Sequence, residues 1–372
     1  MELINRHNLK DLKELFNSKY YEKILIVGGN QSFYKSGAAK LIRKLTKNKK
    51  TFLYLKKKKI PEIYELIKLI KEIKKFKPNL IVSIGGGAVM DLAKISNCMT
   101  DIDEIIPKVK NNSYKISKKF CDIIAIPMTA GSGAEVTTNA VLYIGKEKFS
   151  IESSFIKPNH MALFPHLVIN NKKKKIIHSS AFDCFAQAVE SMFSLKSNEK
   201  SIEYSKKSLD LFDNNYKSFV KNKSFEKGYL LSLASYYSGK AISISKTIAP
   251  HAVSYPFTSF FGVNHGYAVS ITFDGFLKYN YENISKSKKK YDLNNRYEML
   301  FKFLKIKNIE ELSNKISEIK KELSLESQIS KINKNIPKKI DLIVDNVNVQ
   351  RMTNNPVEVK KKDILNILKK TM

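Results

Sequence analysis

One segment of the sequence constrains the fold more than any other, the apolar run Leu80–Ile84 followed by Gly85-Gly86-Gly87. The run predicts a short buried strand, and the glycines followed by Ala88 predict a tight turn into a helix. A strand followed directly by a helix is the repeating unit of parallel sheets. The segment therefore predicts an α/β fold for this part of the chain.

The rest of the first half alternates in the same way. Predicted strands lie at Lys23–Val27, Thr51–Leu55 and Asp122–Ile126, and predicted helices lie at 33–45 and, after Pro61, at Ile63–Phe76. Strands that alternate with helices predict a parallel, Rossmann-like sheet covered on both faces. Asn139–Tyr143 and Lys148–Ile151, joined through Gly145, predict a hairpin.

The lysine run Lys172–Lys175 marks a change in composition, after which the sequence is mainly helical. The longer predicted helices are Ile176–Phe193, Ile202–Phe219, Phe225–Ile244 and Gly266–Tyr281. A chain of 372 residues is long enough for two domains with sizeable cores. We expect an α/β domain at residues 1–173 and an all-helical domain at residues 174–372.

The net charge of +31 raises the question of nucleic-acid binding. The excess is almost entirely lysine, whereas reading base edges favours arginine, and no nucleic-acid motif accompanies it. The only arginines are Arg6, Arg43, Arg296 and Arg351. The lysine runs are scattered, at 56–59, 172–175, 288–290 and 360–362. We expect solvated lysine faces, no nucleic-acid partner, and a positive field that attracts small anions.

Cysteine usage and hydropathy indicate the compartment. Cys98, Cys121 and Cys184 are far apart in sequence and form no CxxC motif, which favours neither a disulfide framework nor a cysteine zinc site. No apolar run approaches the roughly 20 residues that span a bilayer. Residues 1–7 have no signal-peptide pattern. We expect a soluble, cytoplasmic protein without a membrane partner.

Two loops at neighbouring strand ends favour a nucleotide site. Gly85–Gly87 lies where a strand meets a helix N-terminus, a position that suits a pyrophosphate. Pro127–Thr137, rich in hydroxyls and small residues, follows the next predicted core strand. Ligands of open α/β sheets bind at the carboxyl ends of the strands. The triple glycine is not the GxGxxG fingerprint, and glycine also serves tight turns for steric reasons alone.

A second group of polar residues has the composition of a metal site. Asp183 and Gln187, four residues apart on a predicted helix, share one face. His251 and His265 are two of the six histidines of the chain. A carboxylate, an amide oxygen and two imidazoles suit Fe(II), Zn(II) or Mn(II). The alternative is that each residue satisfies a hydrogen bond in the core, and spacing alone leaves both interpretations open.

Together, four motifs resemble the iron-dependent (group III) alcohol dehydrogenase family in order and approximate spacing. They are Gly85–Lys94, Pro127–Thr137, the helix around Asp183 and the segment His251–His265. The resemblance covers most of residues 20–285. It implies the dehydroquinate synthase-like fold of that family, an NAD(P)H-binding α/β domain, a helical domain, a divalent metal in the cleft between them, and a homodimer.

The resemblance also implies roles for individual residues. Asp183, His251 and His265 match metal ligands of the family, and Gln187 stands where the family generally has a further histidine. Tyr255 is a candidate proton relay, with a packing role as the alternative. The implied cofactor residues are Gly85, Gly86 and Gly87 for the pyrophosphate, Asp91 to anchor that turn, and Thr129, Ser132 and Thr137 for the nucleotide and nicotinamide ribose. Lys148 resembles the family's lysine near the nicotinamide ribose, with a surface lysine as the alternative. Asn30 stands where NAD-preferring members often have Asp, so this position neither excludes NADPH nor selects it.

Within that family, the sequence is similar to the phosphonoacetaldehyde reductases at 183–191, 250–259 and 146–151. This similarity implies reduction of a small anionic aldehyde by NAD(P)H, with Fe(II) or Zn(II) polarising the carbonyl. The residues nominated to bind the phosphonate are Lys148, Ser254, Thr258 and Asn264. The alternatives are a general aldehyde reductase, a dehydrogenase or lyase acting on a polyol or sugar phosphate, and a non-redox nucleotide-binding protein in which Gln187 marks a lost metal site.

Overall fold

The computed structural model describes residues 2–3, 9–99, 101–170, 173–288 and 292–372. Three stretches that entered the sequence analysis lie partly outside these ranges. They are the N-terminal segment 1–7, the first residue of the lysine run 172–175, and the last two residues of the run 288–290.

The chain divides into two compact units. Unit 1 comprises residues 1–173 and 223–236, and unit 2 comprises residues 174–222 and 237–372. The predicted single boundary after residue 173 assigns the segment 223–236 to the second domain. In the structure this segment belongs to unit 1, although it follows the first helices of unit 2 in the sequence. The reason is that one helix, Phe225–Ser245, contributes its first half to unit 1 and its second half to unit 2.

Unit 1 contains a six-stranded sheet in which every neighbouring pair of strands is parallel. The strand order is β1-β8-β5-β4-β2-β3. The strands of the sheet are β1 (Glu2–Leu3), β2 (Lys23–Gly29), β3 (Lys50–Lys56), β4 (Leu80–Gly85), β5 (Asp122–Pro127) and β8 (His160–Ala162). The central strand β4 is buried along its whole length, as expected for a parallel strand covered on both faces.

Helices cover the two faces of the sheet and enclose separate apolar cores. One core packs Ile63–Ile73 side chains onto Leu25, Val27 and Ile81, and the other packs Phe16 and Ile42 onto the opposite face. The helices are α1 (Leu9–Asn17), α2 (Ser32–Lys35), α3 (Ala38–Leu45), α4 (Ile63–Phe76), α5 (Gly87–Ser96), α6 (Ile105–Lys110) and α7 (Pro165–Ile169). The predicted parallel α/β architecture of this part of the chain is confirmed.

The single helix predicted at 33–45 is wrong in one respect. Gly37 has φ +92°, a left-handed conformation that ends α2 and precedes α3. The predicted hairpin is confirmed, with strands β6 (Asn139–Ile144) and β7 (Glu147–Glu152) paired antiparallel from Asn139 opposite Glu152. Its turn contains Gly145 at φ +61°, which glycine adopts without steric cost.

Among its described residues, unit 2 contains helices joined by loops and no strand. The helices are α8 (Lys174–Phe193), α9 (Glu199–Asp213), α10 (Tyr216–Lys221), α11 (Phe225–Ser245, shared with unit 1), α12 (Ala249–Phe261), α13 (His265–Glu282), α14 (Leu293–Leu304), α15 (Ile309–Glu322), α16 (Ile329–Ile332), α17 (Ile340–Asp345) and α18 (Lys361–Lys369). The single helix predicted at 202–219 is two helices, because the backbone departs from helical geometry at Asn215 (φ −128°). Among the described residues, no helix combines the length and apolar character needed to cross a bilayer.

Candidate functional site

The glycine turn of unit 1 forms a cradle at the start of α5. A Cβ added to Gly87 would lie 2.8 Å from Oγ of Ser132, and one added to Gly86 would lie 3.5 Å from Oγ1 of Thr129. The absence of a side chain at Gly87 therefore lets the Ser132 hydroxyl approach the backbone of the turn, whereas a Cβ at Gly86 would be at ordinary contact distance from the Thr129 hydroxyl. The N-cap residue of α5 is Gly86, which has no side chain to bond the first N–H groups of the helix, and such N–H groups attract anions. The arrangement fits a pyrophosphate.

The loop after β5 is tied to α5 by a buried lysine. The ammonium of Lys94 donates to Oγ1 of Thr137 (2.9 Å) and to the carbonyl oxygens of Ala134 (2.9 Å) and Asn139 (2.8 Å). Lys94 is only 1% exposed. Thr137 in turn donates to Asn139. The hydroxyl of Thr137, predicted to line the nucleotide, is thus engaged in holding its own loop.

Replacement of Lys94 by Met should destabilise unit 1. Met fills similar space but leaves the carbonyl oxygen of Ala134 and the hydroxyl oxygen of Thr137 without the ammonium donor, and leaves the carbonyl oxygen of Asn139 with Thr137 as its donor. We expect this loss to cost about 3 kcal/mol. Urea unfolding followed by far-UV circular dichroism measures the loss, and Lys40→Met, at an exposed position on α3, serves as the control. Equal unfolding midpoints for the two variants would show that the Lys94 bonds contribute nothing.

Glu135 is a buried carboxyl in the same loop. It is 2% exposed, and neither of its side-chain oxygens has a hydrogen-bond partner among the described residues. Burial raises the pKa of Glu135 to about 7, against the attraction of the Lys94 ammonium. The folded chain therefore keeps this proton up to a higher pH than the unfolded chain, whose Glu titrates near its ordinary value of 4.5.

The proton held by Glu135 should make the free energy of unfolding depend on pH. Because the folded state has the raised pKa, the stabilising contribution is complete below about pH 4.5 and is lost as pH rises to about 7, by about 3 kcal/mol in total. Glu135→Gln should remove this part of the pH dependence. We expect the free energy of unfolding, measured in urea at several pH values, to fall less steeply for the variant. Parallel profiles for the two proteins would contradict the assignment.

The remaining cofactor candidates of unit 1 occupy different places. Asp91 lies on α5, and its carboxylate accepts a hydrogen bond from the backbone N–H of Val141, so it ties α5 to the hairpin. Burial raises the pKa of Asp91 to about 6, against the attraction of Lys94, Lys148 and Lys56. Lys148 is half-buried on β7, and Asn30 is exposed at the end of β2.

In unit 2, α8 presents three polar, buried residues on one of its faces. Asp183, Gln187 and Glu190 follow one another at spacings of four and three residues, and all are buried. Gly266 on α13 allows the two helices to approach closely. A Cβ at that position would collide with the carbonyl oxygen of Ser179 and lie 2.7 Å from Cβ of Asp183. This close approach brings His265 next to Asp183.

His251 lies between two carboxylates of α8. Its Nδ1 is 2.5 Å from Oε1 of Glu190, and its Nε2 is 3.1 Å from Oδ1 of Asp183. The other oxygen of Glu190 accepts from the backbone N–H of Ile248 (2.7 Å), just before α12. Burial disfavours a charged imidazole, but attraction and hydrogen bonds from Glu190 and Asp183 outweigh burial and raise the pKa of His251 to about 9.

The ring of His265 is fixed by two residues of α12. Oγ of Ser254 donates to the carbonyl oxygen of His251 (2.7 Å) and lies 3.3 Å from Nδ1 of His265. Because a serine hydroxyl has one proton, it accepts from Nδ1–H, which leaves the lone pair on Nε2. Tyr255, the proposed proton relay, stacks on the same ring with centroids 5.8 Å apart and an interplanar angle of 22°.

These residues fit a divalent cation. One ligand atom each from Asp183, His251 and His265 lies within 4.8 Å of the others. The 3.1 Å between Oδ1 of Asp183 and Nε2 of His251 is a spacing that two ligands of one cation adopt when each is about 2.1 Å from it. Glu190 accepts a hydrogen bond from Nδ1 of His251, and Ser254 accepts one from Nδ1 of His265. Imidazoles that bind metals usually donate their other ring nitrogen to a protein acceptor in this way.

Gln187, the further predicted ligand, has a partner of its own. Oγ of Ser238 donates to Oε1 of Gln187 at 3.1 Å. An amide oxygen carries two lone pairs, so this bond alone does not remove Gln187 from the ligand set. Two of the residues nominated for a phosphonate are also engaged, since the hydroxyls of Ser254 and Thr258 donate to carbonyl oxygens within α12. Asn264 is half-buried at the start of α13.

Three residues that contribute to these arrangements received no role in the sequence analysis. Glu190, Ser238 and Lys94 all have their partners on other elements, Glu190 with a histidine 61 residues away and Lys94 with a loop 40 to 45 residues away. The spacing of Glu190 from Asp183 is the one available signal, because seven residues are about two helical turns and return to the same face.

Two family models match the two parts of the chain. Residues 3–170 match the family model of iron-containing alcohol dehydrogenases, and residues 177–372 match that of the C-terminal domain of the Fe-containing alcohol dehydrogenase family. The phosphonoacetaldehyde reductase of Streptomyces viridochromogenes is 28% identical over 218 residues, 56% of this chain and 55% of that protein. The 4-hydroxybutyrate dehydrogenase of Clostridium kluyveri is 28% identical over 215 residues, 55% of each.

A solved structure shows the same fold across the whole chain. The sulfoacetaldehyde reductase of Bifidobacterium kashiwanohense, solved with NAD⁺, superposes with a TM-score of 0.88 at 22% identity, covering 100% of this chain and 96% of that one. The alignments to the curated relatives span only about half of their length. The fold is thus that of the metal-dependent alcohol dehydrogenases. The chain belongs to the iron-containing alcohol dehydrogenase family, and the predicted resemblance is confirmed.

Proposed function

We propose that this protein is an oxidoreductase that uses NAD(P)H to reduce a small anionic aldehyde to a primary alcohol, with phosphonoacetaldehyde as the substrate and 2-hydroxyethylphosphonate as the product. The observation that carries the proposal is the buried cluster of Asp183, His251 and His265, whose ligand atoms lie within 4.8 Å of one another. A glycine cradle suited to a pyrophosphate is present in the same chain.

In this proposal, Asp183, His251 and His265 hold Fe(II) or Zn(II), with Gln187 as a candidate fourth ligand. A divalent cation supplies Lewis-acid polarisation of a carbonyl oxygen, and a reduced nicotinamide supplies hydride. Glu190 and Ser254 accept from the Nδ1–H groups of the two imidazoles, so Nε2 of each ring is the atom left to bind the cation. At His251, Nε2 would bind the cation in place of the proton that it shares with Asp183. The reaction also consumes one proton, which we assign to the hydroxyl of Tyr255. Gly85–Gly87, Thr129 and Ser132 bind the nucleotide.

The proposed substrate class is supported by two similarities and by charge. One relative is a phosphonoacetaldehyde reductase, and a protein of the same fold is a sulfoacetaldehyde reductase. Both names denote an acetaldehyde with an anionic group on the adjacent carbon. The net charge of +31 attracts such substrates over distance. As in other members of the family, we propose a homodimer, which analytical ultracentrifugation tests directly.

The experiment that tests the proposal is a comparison of initial rates. Purified protein with Fe(II) or Zn(II) is assayed by loss of absorbance of NADPH and NADH with phosphonoacetaldehyde, and with butanal as an uncharged aldehyde. We expect kcat/KM to be at least about a hundredfold higher for phosphonoacetaldehyde, roughly 2.7 kcal/mol of discrimination. Equal values would indicate a general aldehyde reductase, and no turnover of either would indicate a non-redox nucleotide-binding protein.

A further inference from the structure

The strand order of unit 1 determines which loops a dinucleotide meets in sequence. Along one edge of the sheet, the carboxyl ends of β5, β4, β2 and β3 follow one another. The hydroxyl-rich loop follows β5, and the glycine cradle follows β4. Neighbouring strands are about 4.8 Å apart. In the proposed function, on which this inference rests, the pyrophosphate binds at β4 and the nicotinamide half lies toward β5. The adenosine half then extends toward β2 and β3.

The ends of β2 and β3 are joined by a backbone hydrogen bond. Gly29 is paired with Lys56 in the sheet, and the N–H of Asn30 donates to the carbonyl oxygen of Lys56 at 3.1 Å. Asn30 is exposed and uncharged. On the neighbouring strand β3, the segment that begins at the same edge of the sheet is Lys56–Lys59, which we call the lysine loop. The position reached by an adenosine ribose therefore has an amide on one strand end and four lysines on the next.

The lysine loop is held in place by a carboxylate of α4. Oε1 of Glu65 accepts from the backbone N–H groups of Lys57 (2.7 Å) and Lys58 (3.3 Å). The ammonium of Lys56 lies 3.8 Å from the other oxygen of Glu65 and also donates to the carbonyl oxygen of Lys58. Lys56 is 4% exposed, and burial lowers its pKa to about 8, against the attraction of Glu65.

Lys56 thus compensates the charge of Glu65 inside the fold, and the other three lysines of the loop face solvent. Lys57, Lys58 and Lys59 are exposed, and none of them forms an ion pair with another described residue. Glu62 and Asp91 are the other carboxylates that attract the Lys56 ammonium. The lysine loop consequently presents an excess of positive charge next to Asn30, in a backbone conformation fixed before any ligand arrives.

We propose that Asn30 and Lys57–Lys59 bind the 2′-phosphate of NADPH, so that the protein prefers NADPH to NADH. NADH has a neutral hydroxyl at that position and gains nothing from the ammonium groups, whereas the phosphate accepts charge-assisted hydrogen bonds from them. A carboxylate at residue 30 would repel the phosphate, and Asn30 does not. Lys56 and Glu65 position the lysine loop without contacting the nucleotide.

Isothermal titration calorimetry with NADP⁺ and NAD⁺ tests the proposal without any aldehyde. We expect NADP⁺ to bind at least about thirtyfold more tightly than NAD⁺, and adenosine 2′,5′-bisphosphate to bind more tightly than AMP by a similar factor, as two charge-assisted contacts imply. The triple variant Lys57→Ala, Lys58→Ala, Lys59→Ala should lose this preference while its affinity for NAD⁺ stays within about threefold. Retained NAD⁺ binding also shows that the variant is folded.

A matched control separates a local effect from the loss of overall charge. The triple variant Lys334→Ala, Lys338→Ala, Lys339→Ala removes the same three charges from exposed positions of unit 2 and should keep the preference for NADP⁺. Asn30→Asp should weaken the binding of NADP⁺ by about tenfold or more, because a carboxylate there repels the 2′-phosphate. The preference of the wild-type protein should also fall as salt is raised from 0.05 to about 0.5 M.

The outcomes distinguish this inference from the function on which it rests. If both nucleotides bind and the lysine-loop variant keeps the preference of the wild-type protein, or if the wild-type protein has no preference, the assignment of the 2′-phosphate is overturned and the proposed reductase stands. If neither nucleotide binds to the wild-type protein, the proposed function fails, and this inference fails with it.

Discussion

Replacing Asp183 by Asn should lower kcat/KM for the proposed reduction by at least about a thousandfold, equivalent to roughly 4 kcal/mol of transition-state stabilisation. Asn preserves the shape of the side chain but removes the negative charge. The oxygen that lies 3.1 Å from Nε2 of His251 then becomes a weak ligand in a buried site. The same variant should lose its metal on dialysis, which mass spectrometry of metal content measures separately from the rate.

The control for this prediction is Asp341→Asn, the same substitution at an exposed position of α17. It should retain both metal and activity. The two measurements on Asp183→Asn also separate causes, because a variant that keeps the metal but loses activity would assign Asp183 to the reaction itself. Full metal content together with full activity would contradict a ligand role for Asp183.

Replacing Glu190 by Leu should weaken metal binding by about tenfold to a hundredfold, the usual effect of removing a residue that orients a ligand. Leu leaves Nδ1–H of His251 and the N–H of Ile248 without their acceptor, and we expect this buried loss to destabilise unit 2 by about 3 kcal/mol. Glu190→Gln retains one acceptor oxygen and should recover part of both losses. Competition of Zn(II) with a chromophoric chelator measures the affinity.

A spectroscopic measurement distinguishes orientation of His251 from stability alone. In the Co(II)-substituted protein, the visible spectrum depends on the ligand geometry, and we expect it to differ between wild type and Glu190→Leu at a temperature where both are folded. Glu310→Gln, at an exposed position of α15, should leave the spectrum, the affinity and the unfolding midpoint unchanged. If Glu190→Leu behaves like this control, Glu190 has no part in positioning the imidazole.

The parts of the fold that the sequence predicts well are those in which local signals agree. The helix Ile63–Phe76 has the same bounds in sequence and structure, because it follows a proline and its apolar residues recur without interruption. Helix α12 was not predicted, because it contains Pro250 and Pro256, which local rules associate with loops. The burial of its apolar face outweighs that local preference, as often happens when tertiary packing is extensive.

The candidate metal site illustrates a similar limit. Spacing along one helix predicts that Asp183 and Gln187 share a face, and the structure places them in this way. Spacing does not reveal that Glu190 is paired with His251 or that Ser254 lies beside His265, because the fold decides these neighbours. The order of the strands likewise places Asn30 next to the lysine loop, although 26 residues separate Asn30 from Lys56, and only the sheet register shows this.

The pairing of β1 with β8 has a consequence for how the chain reaches this structure. Glu2 and Leu3 pair with Met161 and Ala162 as parallel strands. The edge strand β1 can therefore join the sheet only after about 160 residues have been synthesised. Parallel strands paired over such long separations must overcome a large loop-closure entropy before their contacts form. We therefore expect unit 1 to refold slowly from denaturant, with the exposed edge of β8 as the surface most prone to association in the meantime.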